Sequence, residues 1–348
     1  MKILKKYYGR APLRIGLAGG GSDIKEHFLN YGGAVTNVTI NQYAHVFIEE
    51  NTEKIIEFKS HDLQVDDTYS NIADVKKRID ESSLKLHAMT LIFFCEKFKL
   101  EISNIVISSY VDAPPGSGLG SSSTLIVAIL MSLADFYRVP ITKFEASNYA
   151  YEIERVRLGF AGGMQDQFAA TFGGCNFLEF KESGNINVTP IEINEQFKRE
   201  FEYSFALFNI GKSRDSSLII KSQIEKYKDK KNISNTNELK KFAYKLKDSF
   251  ILDDIKSVHE IIHKSWIVKK SLSEKISNKK IDDIYDYVIK KGAISYKVSG
   301  AGGGGFILVG TKPENKVSII KGAESNFDIS YKNFKIERFG FKGHFRSF

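Results

Sequence analysis

Asp112-Ala113-Pro114-Pro115-Gly116-Ser117-Gly118-Leu119-Gly120-Ser121-Ser122-Ser123-Thr124 runs from the strand-like segment Ile102 to Val111 into an apolar stretch, Thr124 to Phe136. In that stretch Leu125, Ile129, Leu133 and Phe136 recur at helical spacing. A strand, a glycine-rich loop and a helix in this order form an anion cradle. The glycines let backbone N–H groups converge, the serines add hydroxyl donors or metal ligands, and the helix aims the positive end of its dipole at the same point. Such a loop also serves simply to reverse the chain, but helix entry needs a single N-cap. Three consecutive serines behind a rigid Pro-Pro pair exceed that need. Pro115, Gly116, Ser117, Gly118, Leu119, Gly120, Ser121 and Ser122 are therefore the candidate phosphate-binding residues. No Gly-Lys-Ser/Thr ending follows, so the loop is not a P-loop and brings no lysine to the terminal phosphates.

Two further glycine clusters flank it. Arg10-Ala11-Pro12-Leu13-Arg14-Ile15-Gly16-Leu17-Ala18-Gly19-Gly20-Gly21-Ser22-Asp23 lies near the N-terminus, and Val298-Ser299-Gly300-Ala301-Gly302-Gly303-Gly304-Gly305-Phe306 near the C-terminus. Either alone reads as a hairpin turn or a close approach of backbones. Together and in this order, the three segments resemble the motifs of the GHMP small-molecule kinase superfamily, and Pro-Pro-Gly-Ser-Gly-Leu-Gly-Ser-Ser fits the middle motif without a gap. The Ala-Gly-Gly-Gly-Ser-Asp start, Tyr31-Gly32-Gly33-Ala34-Val35 and Lys212-Ser213-Arg214-Asp215-Ser216-Ser217 most resemble the heptose 7-phosphate kinase branch of that family.

The resemblance implies an α+β fold of two domains, with ATP and a sugar phosphate meeting in the cleft between them. It implies transfer of the γ-phosphoryl group to the anomeric hydroxyl of D-glycero-D-manno-heptose 7-phosphate, with Mg2+ on the phosphates. The product would be the 1,7-bisphosphate, an intermediate for nucleotide-heptose and surface polysaccharide synthesis. A fucose- or galactose-type sugar 1-kinase is the alternative within the family, and a catalytically silent sugar and ATP sensor the alternative outside enzymes. Asp166, in Gly162-Gly163-Met164-Gln165-Asp166-Gln167, resembles the family's catalytic aspartate, and Arg14 the motif-one arginine beside it. A fixed positive charge there stabilises alkoxide character on the acceptor.

Glu154 and Ser122 resemble the glutamate and serine that hold magnesium, which prefers oxygen ligands. Galactokinases carry Glu-His-Thr-Asp where this chain has Gly20-Gly21-Ser22-Asp23, so a hexose grip is absent and these four residues become candidates for a longer substrate. Lys212, Ser213 and Arg214 offer donors to a substrate phosphate. Gly302 and Gly303 complete the substrate-side set.

Composition bounds these readings. The chain has 348 residues, with 42% hydrophobic, 12% aromatic and 26% charged. That is ordinary for a globular protein of about two domains. A boundary near residue 200 separates an N-terminal unit, 1–200, from a C-terminal unit, 201–348. Nothing resembles a signal-peptide core, and Leu91 to Cys95 is too short to span a membrane, which predicts a cytoplasmic protein, monomeric or homodimeric. Cys95 and Cys175 show no metal or redox spacing and are expected to be buried thiols. The net charge of +8 is interrupted by acidic residues even in the lysine-rich stretch Lys221 to Lys247. It suits anionic small substrates rather than nucleic acid.

Pattern predicts strands at Val35 to Glu50, Asn176 to Phe180, Phe205 to Asn209, Ser295 to Ser299 and Phe306 to Val309. Helices are predicted at about 82–99, 124–138, 143–158, 214–228, 235–249, 254–272 and 279–291. His259-Glu260-Ile261-Ile262-His263 satisfies a zinc-protease pattern on one helix face. Downstream, only Asp282, Asp283 and Asp286 are offered as a third ligand, and the reading leaves all three glycine motifs unexplained.

Overall fold

A computed structural model describes residues 5–211 and 216–346. Strands β1 (Lys6–Ala18), β2 (Gly33–Glu50), β3 (Ile56–Ser60), β4 (Val65–Tyr69), β5 (Ile105–Val111), β6 (Cys175–Phe180) and β7 (Ile186–Ile191) build a first sheet. Strands β8 (Phe205–Asn209), β9 (Ala293–Val298), β10 (Phe306–Thr311) and β11 (Ser330–Lys332) build a second, in the order β11-β8-β10-β9. The last strand, β12 (Lys342–Phe345), returns to the first sheet and pairs antiparallel with β1. A cut near residue 200 would place it with the second sheet instead.

β2 forms because β-branched and apolar residues alternate along it, with Ala44, Val46 and Ile48 fully buried. It serves two neighbours: Gly33 to Val38 pair with β6, and Ala44 to Glu50 pair with β5. β1 runs beside it with register shifts between Pro12 and Arg14 and between Gly16 and Ala18. Such bulges re-aim side chains, here directly at Arg14.

The phosphate-loop helix spans Ser121–Tyr137, beginning before Thr124, and buries Leu125, Ile129, Leu133 and Phe136 against the first sheet. The next helix opens on a capping box between Thr142 and Glu145. It was expected to run as one α-helix to Leu158. Instead it is α-helical over Lys143–Tyr151 and widens to a π-helix over Glu152–Arg157. Helix Lys230–Ile251 joins the halves: it packs on β2, where the Thr36 hydroxyl donates to the Ala243 carbonyl at 2.8 Å, and on helix Ile255–Lys270, which covers β9. The apolar core runs through both sheets as one cluster, so the cleft walls are parts of one packed body.

Both cysteines are buried and unpaired, and burial pushes the thiols up to about 11 for Cys95 and about 12 for Cys175. The zinc-like histidines are packing residues. His259 shares a hydrogen bond with the Ser295 hydroxyl at 2.9 Å and stacks on Phe205, and His263 stacks on Tyr285.

Candidate active site

All three glycine motifs meet at one cleft of about 530 Å3. The loop after β5 reaches its left-handed turns at Gly116, Gly118 and Gly120, with φ of 76°, 77° and 80°. Gly120 caps helix Ser121–Tyr137 in that conformation, and Ser121 to Ser123, whose first-turn amides have no intrahelical acceptor, line the cleft. The loop is held from both sides. The Arg14 amide donates to the Leu119 carbonyl at 3.1 Å, and the Phe306 amide to the Ser117 carbonyl at 3.0 Å. Gly118 and Gly300 approach so closely that a Cβ on Gly300 would lie 2.5 Å from the Gly118 Cα.

Arg14, 4% exposed, donates from Nε to Asp166 Oδ1 at 2.6 Å, while its Nη2 lies 2.5 Å from the same oxygen. Its Nη1 donates to the Gly118 carbonyl at 2.5 Å. Asp166 sits in the first turn of helix Gln165–Phe172, with its carboxylate 3.2 to 3.3 Å from where a Cβ of Gly120 would be. The aspartate therefore stands directly against the phosphate loop, braced by an arginine.

Glu154 is 2% exposed and is delivered by the π-helical turn. Its Oε2 accepts from the Ser123 hydroxyl at 2.5 Å and from Gln167 Nε2 at 2.7 Å, and Arg155 lies 3.3 Å from Oε1. The serine that touches Glu154 is thus Ser123, whereas the sequence pairs it with Ser122, whose side chain lines the cleft without a hydrogen bond to the carboxylate. Among the described residues no three His, Cys, Asp or Glu side chains cluster to hold a metal ion by themselves. The donor set nonetheless fits a hard cation shared with phosphates: one carboxylate with serine hydroxyls beside it.

The remaining candidates divide. Pro115, Gly116, Ser117, Gly118, Gly120, Ser121, Ser122, Gly21 and Asp23 line the cleft. Leu119 does not; its side chain is fully buried in the core and its carbonyl anchors Arg14. Ser22 is also fully buried, its hydroxyl donating to the Gly19 and Ala34 carbonyls and accepting from the Ala34 amide, so it shapes the motif-one turn rather than meeting a ligand. Gly20 is not among the residues lining the cleft; a Cβ on it would meet Gln165 and Lys269. Gly302 and Gly303 pack against Ile276, and the motif-three residues that line the cleft are Gly300 and Ala301. Lys212, Ser213 and Arg214 lie outside the described residues.

Asp23 accepts from the Gly21 amide at 2.9 Å and from the Gln165 amide and side chain at 3.2 Å. It binds motif one to the Asp166 loop. The cleft also contains residues that the sequence reading missed: Gln165, Gln223, Arg155 and, from helix Ile255–Lys270, Lys269. Burial brings the Lys269 ammonium down to about 8. A second cavity of about 250 Å3 opens beside the phosphate loop, sharing Pro115, Ser121, Ser122 and Phe160 with the cleft. Its walls are chiefly apolar, with Leu63, Leu86, Val111 and Leu125 among them.

Residues 85–174 match the GHMP kinases N terminal domain and residues 246–325 the GHMP kinases C terminal domain. The chain is 35% identical to a D-glycero-alpha-D-manno-heptose 7-phosphate kinase of Campylobacter jejuni over 91% of this chain and 93% of that one. It is 25% identical to an L-fucokinase/L-fucose-1-P guanylyltransferase of Bacteroides fragilis, over 90% of this chain but only 35% of that longer one. The crystal structure of a D-glycero-D-manno-heptose 1-phosphate kinase from Bacteroides thetaiotaomicron superposes with a TM-score of 0.82, covering 98% of this chain and 99% of that one at 31% identity.

Proposed function

The chain belongs to the GHMP kinase family and is an ATP-dependent sugar kinase, and from that premise we propose that it phosphorylates the anomeric hydroxyl of D-glycero-D-manno-heptose 7-phosphate. The observation that carries the mechanism is the contact between Asp166, Arg14 and the phosphate loop. With the γ-phosphate on the amides of the loop and of the following helical turn, an acceptor hydroxyl beside Asp166 lies within reach of phosphorus. Asp166 takes the hydroxyl proton as the new O–P bond forms and the bond from the γ-phosphorus to the ADP oxygen breaks. Arg14 holds Asp166 in place and offers positive charge to the acceptor oxygen, and the loop amides stabilise charge on the transferring group.

Glu154, with Ser123 and Ser122 beside it, would hold Mg2+ together with phosphate oxygens. Bound there, the ion would supply positive charge that offsets the charge of the phosphates. The apolar side cavity suits the adenine ring, because it continues from the loop's own surface.

The heptose assignment is supported by the 35% identical relative and by motif one, where Gly20 and Gly21 leave no side chains to grip a hexose. Asp23 and Gly21 face the sugar, and Lys212, Ser213 and Arg214 are assigned to its 7-phosphate. We place the enzyme in the cytoplasm, as a monomer or homodimer, with small molecules rather than nucleic acid or membrane as its partners. Among the described residues no helix is long and apolar enough to cross a membrane.

The test is an ATP-consumption screen across free sugars and sugar phosphates, with the products identified. Heptose 7-phosphate is expected to give the highest kcat/KM and a 1,7-bisphosphate. Efficient turnover of galactose or fucose, with no response to heptose 7-phosphate, would overturn the acceptor assignment.

A further inference from the structure

Three lysines of helix Ile255–Lys270 differ sharply in setting. Lys264 pairs with Glu260 and Lys270 with Asp282 at the surface. Lys269 is 5% exposed and lines the cleft. Its ammonium donates to the Gly300 carbonyl at 2.6 Å, and a Cβ on Gly20 would lie 3.6 Å from the same nitrogen. It therefore bridges motifs one and three from the second half of the chain. The charges acting on it come from separate elements: Asp23 from the loop after β1, Asp166 from helix Gln165–Phe172, Arg14 from β1 and Lys297 from β9.

An ammonium has three donors, and among the described residues this one makes a single hydrogen bond, to a neutral carbonyl. Tying down one carbonyl does not require a buried charge next to Arg14 and Lys297, and a neutral donor would do it with far less desolvation. Lys269 lines the same cleft as Asp23 and Asp166, the two aspartates that the kinase reading places around the sugar.

We propose that Lys269 is an acceptor-binding residue, whose ammonium, anchored on the Gly300 carbonyl, donates to a sugar oxygen near the reacting hydroxyl and holds the sugar between Asp23 and Asp166. This rests on the assignment of Asp166 to the acceptor hydroxyl. The protonation of Lys269 then becomes visible in sugar binding. Burial lowers the lysine to about 8, with Arg14 adding to the shift and Asp23 and Asp166 opposing it. Only the protonated form donates with charge, so acceptor affinity is at full strength below about pH 8 and falls as pH rises through it.

The experiment measures kcat and KM for heptose 7-phosphate, or for whichever sugar the screen returns, between pH 6.5 and 10 in the wild type, Lys269→Met and Lys269→Arg, together with ATP affinity by calorimetry. Loss of a charge-assisted bond predicts an acceptor KM raised by about 10- to 100-fold in Lys269→Met, with ATP affinity changed less than about threefold. The basic limb near pH 8 should disappear in Lys269→Met and move beyond pH 10 in Lys269→Arg. A wild-type acceptor KM and basic limb in Lys269→Met overturn the proposal, as does an equal loss of ATP and acceptor binding.

If Lys269→Met does not fold, calorimetry of acceptor binding to the wild type at pH 8.5, in buffers of different ionisation enthalpy, serves instead. Proton uptake is expected, and its absence overturns the proposal. Asp166→Asn is a separate arm: full turnover there removes Asp166 from its role, while the acceptor KM of the Lys269 variants still tests the lysine.

Discussion

Breaking the Arg14–Asp166 pair from each side, and then from both, separates its structural from its chemical contribution. Arg14→Met removes two contacts of 2.5 to 2.6 Å to Asp166 and leaves the Gly118 carbonyl without its 2.5 Å donor. Removing one member of a buried pair costs about 3–5 kcal/mol. The Asp166 side chain is 16% exposed at the cleft wall, so water resolvates part of what is left and the lower end, about 3 kcal/mol, applies. At about 2.1 cal/mol/K per residue, a chain of 348 residues melting in one transition would lose about 4 °C in Tm. Asp166→Asn keeps the shape but leaves the arginine without its anion, for about 2 kcal/mol.

The double variant leaves neither charge stranded. It should cost about 2 kcal/mol less than the sum of the single changes, well above the ~0.5 kcal/mol scatter of independent sites. Equilibrium urea unfolding gives the stabilities, and ADP release gives the turnover. Each single variant should lose turnover by about 100-fold or more while keeping its ATP affinity, the usual worth of proton transfer by a positioned side chain. Additive stabilities would show that Arg14 acts through packing alone. Near-normal turnover of Asp166→Asn would remove the aspartate from the reaction.

Glu154→Gln and Ser123→Ala should each raise the Mg2+ concentration for half-maximal activity by about tenfold, and His259→Ala should leave it unchanged. An unaltered magnesium titration in Glu154→Gln refutes the assignment. Gly120→Ala places a methyl group 3.2 to 3.3 Å from the Asp166 carboxylate at a φ of 80°. It should cost about 1–2 kcal/mol of stability by urea unfolding. Turnover should fall more than ATP affinity; equal values for both in variant and wild type would show that the left-handed turn does not position Asp166.

The three glycine motifs were legible because each glycine-rich turn is forced by a contact that a side chain would block. Gly118 lies against Gly300, and Gly120 lies against Asp166. Long strands and helices with a clear period, such as β2 and Ser121–Tyr137, were legible for the same kind of reason. The edge strands were not. β4, Val-Asp-Asp-Thr-Tyr, and β12, Lys-Gly-His-Phe, bury too little apolar surface to carry an alternation, and β12 is specified by its partner at the other end of the chain.

The contacts within the site that the sequence does not place follow from rotation about helix axes. Placing the start of the phosphate-loop helix at Thr124 leaves the three serines in the loop, where their order along the chain says nothing about direction. Once the helix starts at Ser121, each successive serine turns by about 100°, and that rotation gives Glu154 to Ser123 and leaves Ser122 lining the cleft. The π-helical turn at Glu152–Arg157 adds a second rotation that no hydrophobic period reports, and Glu154 ends buried against Ser123 and Gln167.

Lys269 is hidden by the same geometry. In the sequence it is one lysine beside another at the end of a lysine-bearing amphipathic helix, and only the packing of that helix on β9 turns Lys269 inward and leaves Lys270 paired with Asp282 at the surface. Close backbone approaches were thus readable from the sequence, since glycine announces where backbones must approach. The direction of a side chain on a helix depends on an angle set by tertiary packing, as it does for Gln165, Asp166 and Lys269 in this cleft.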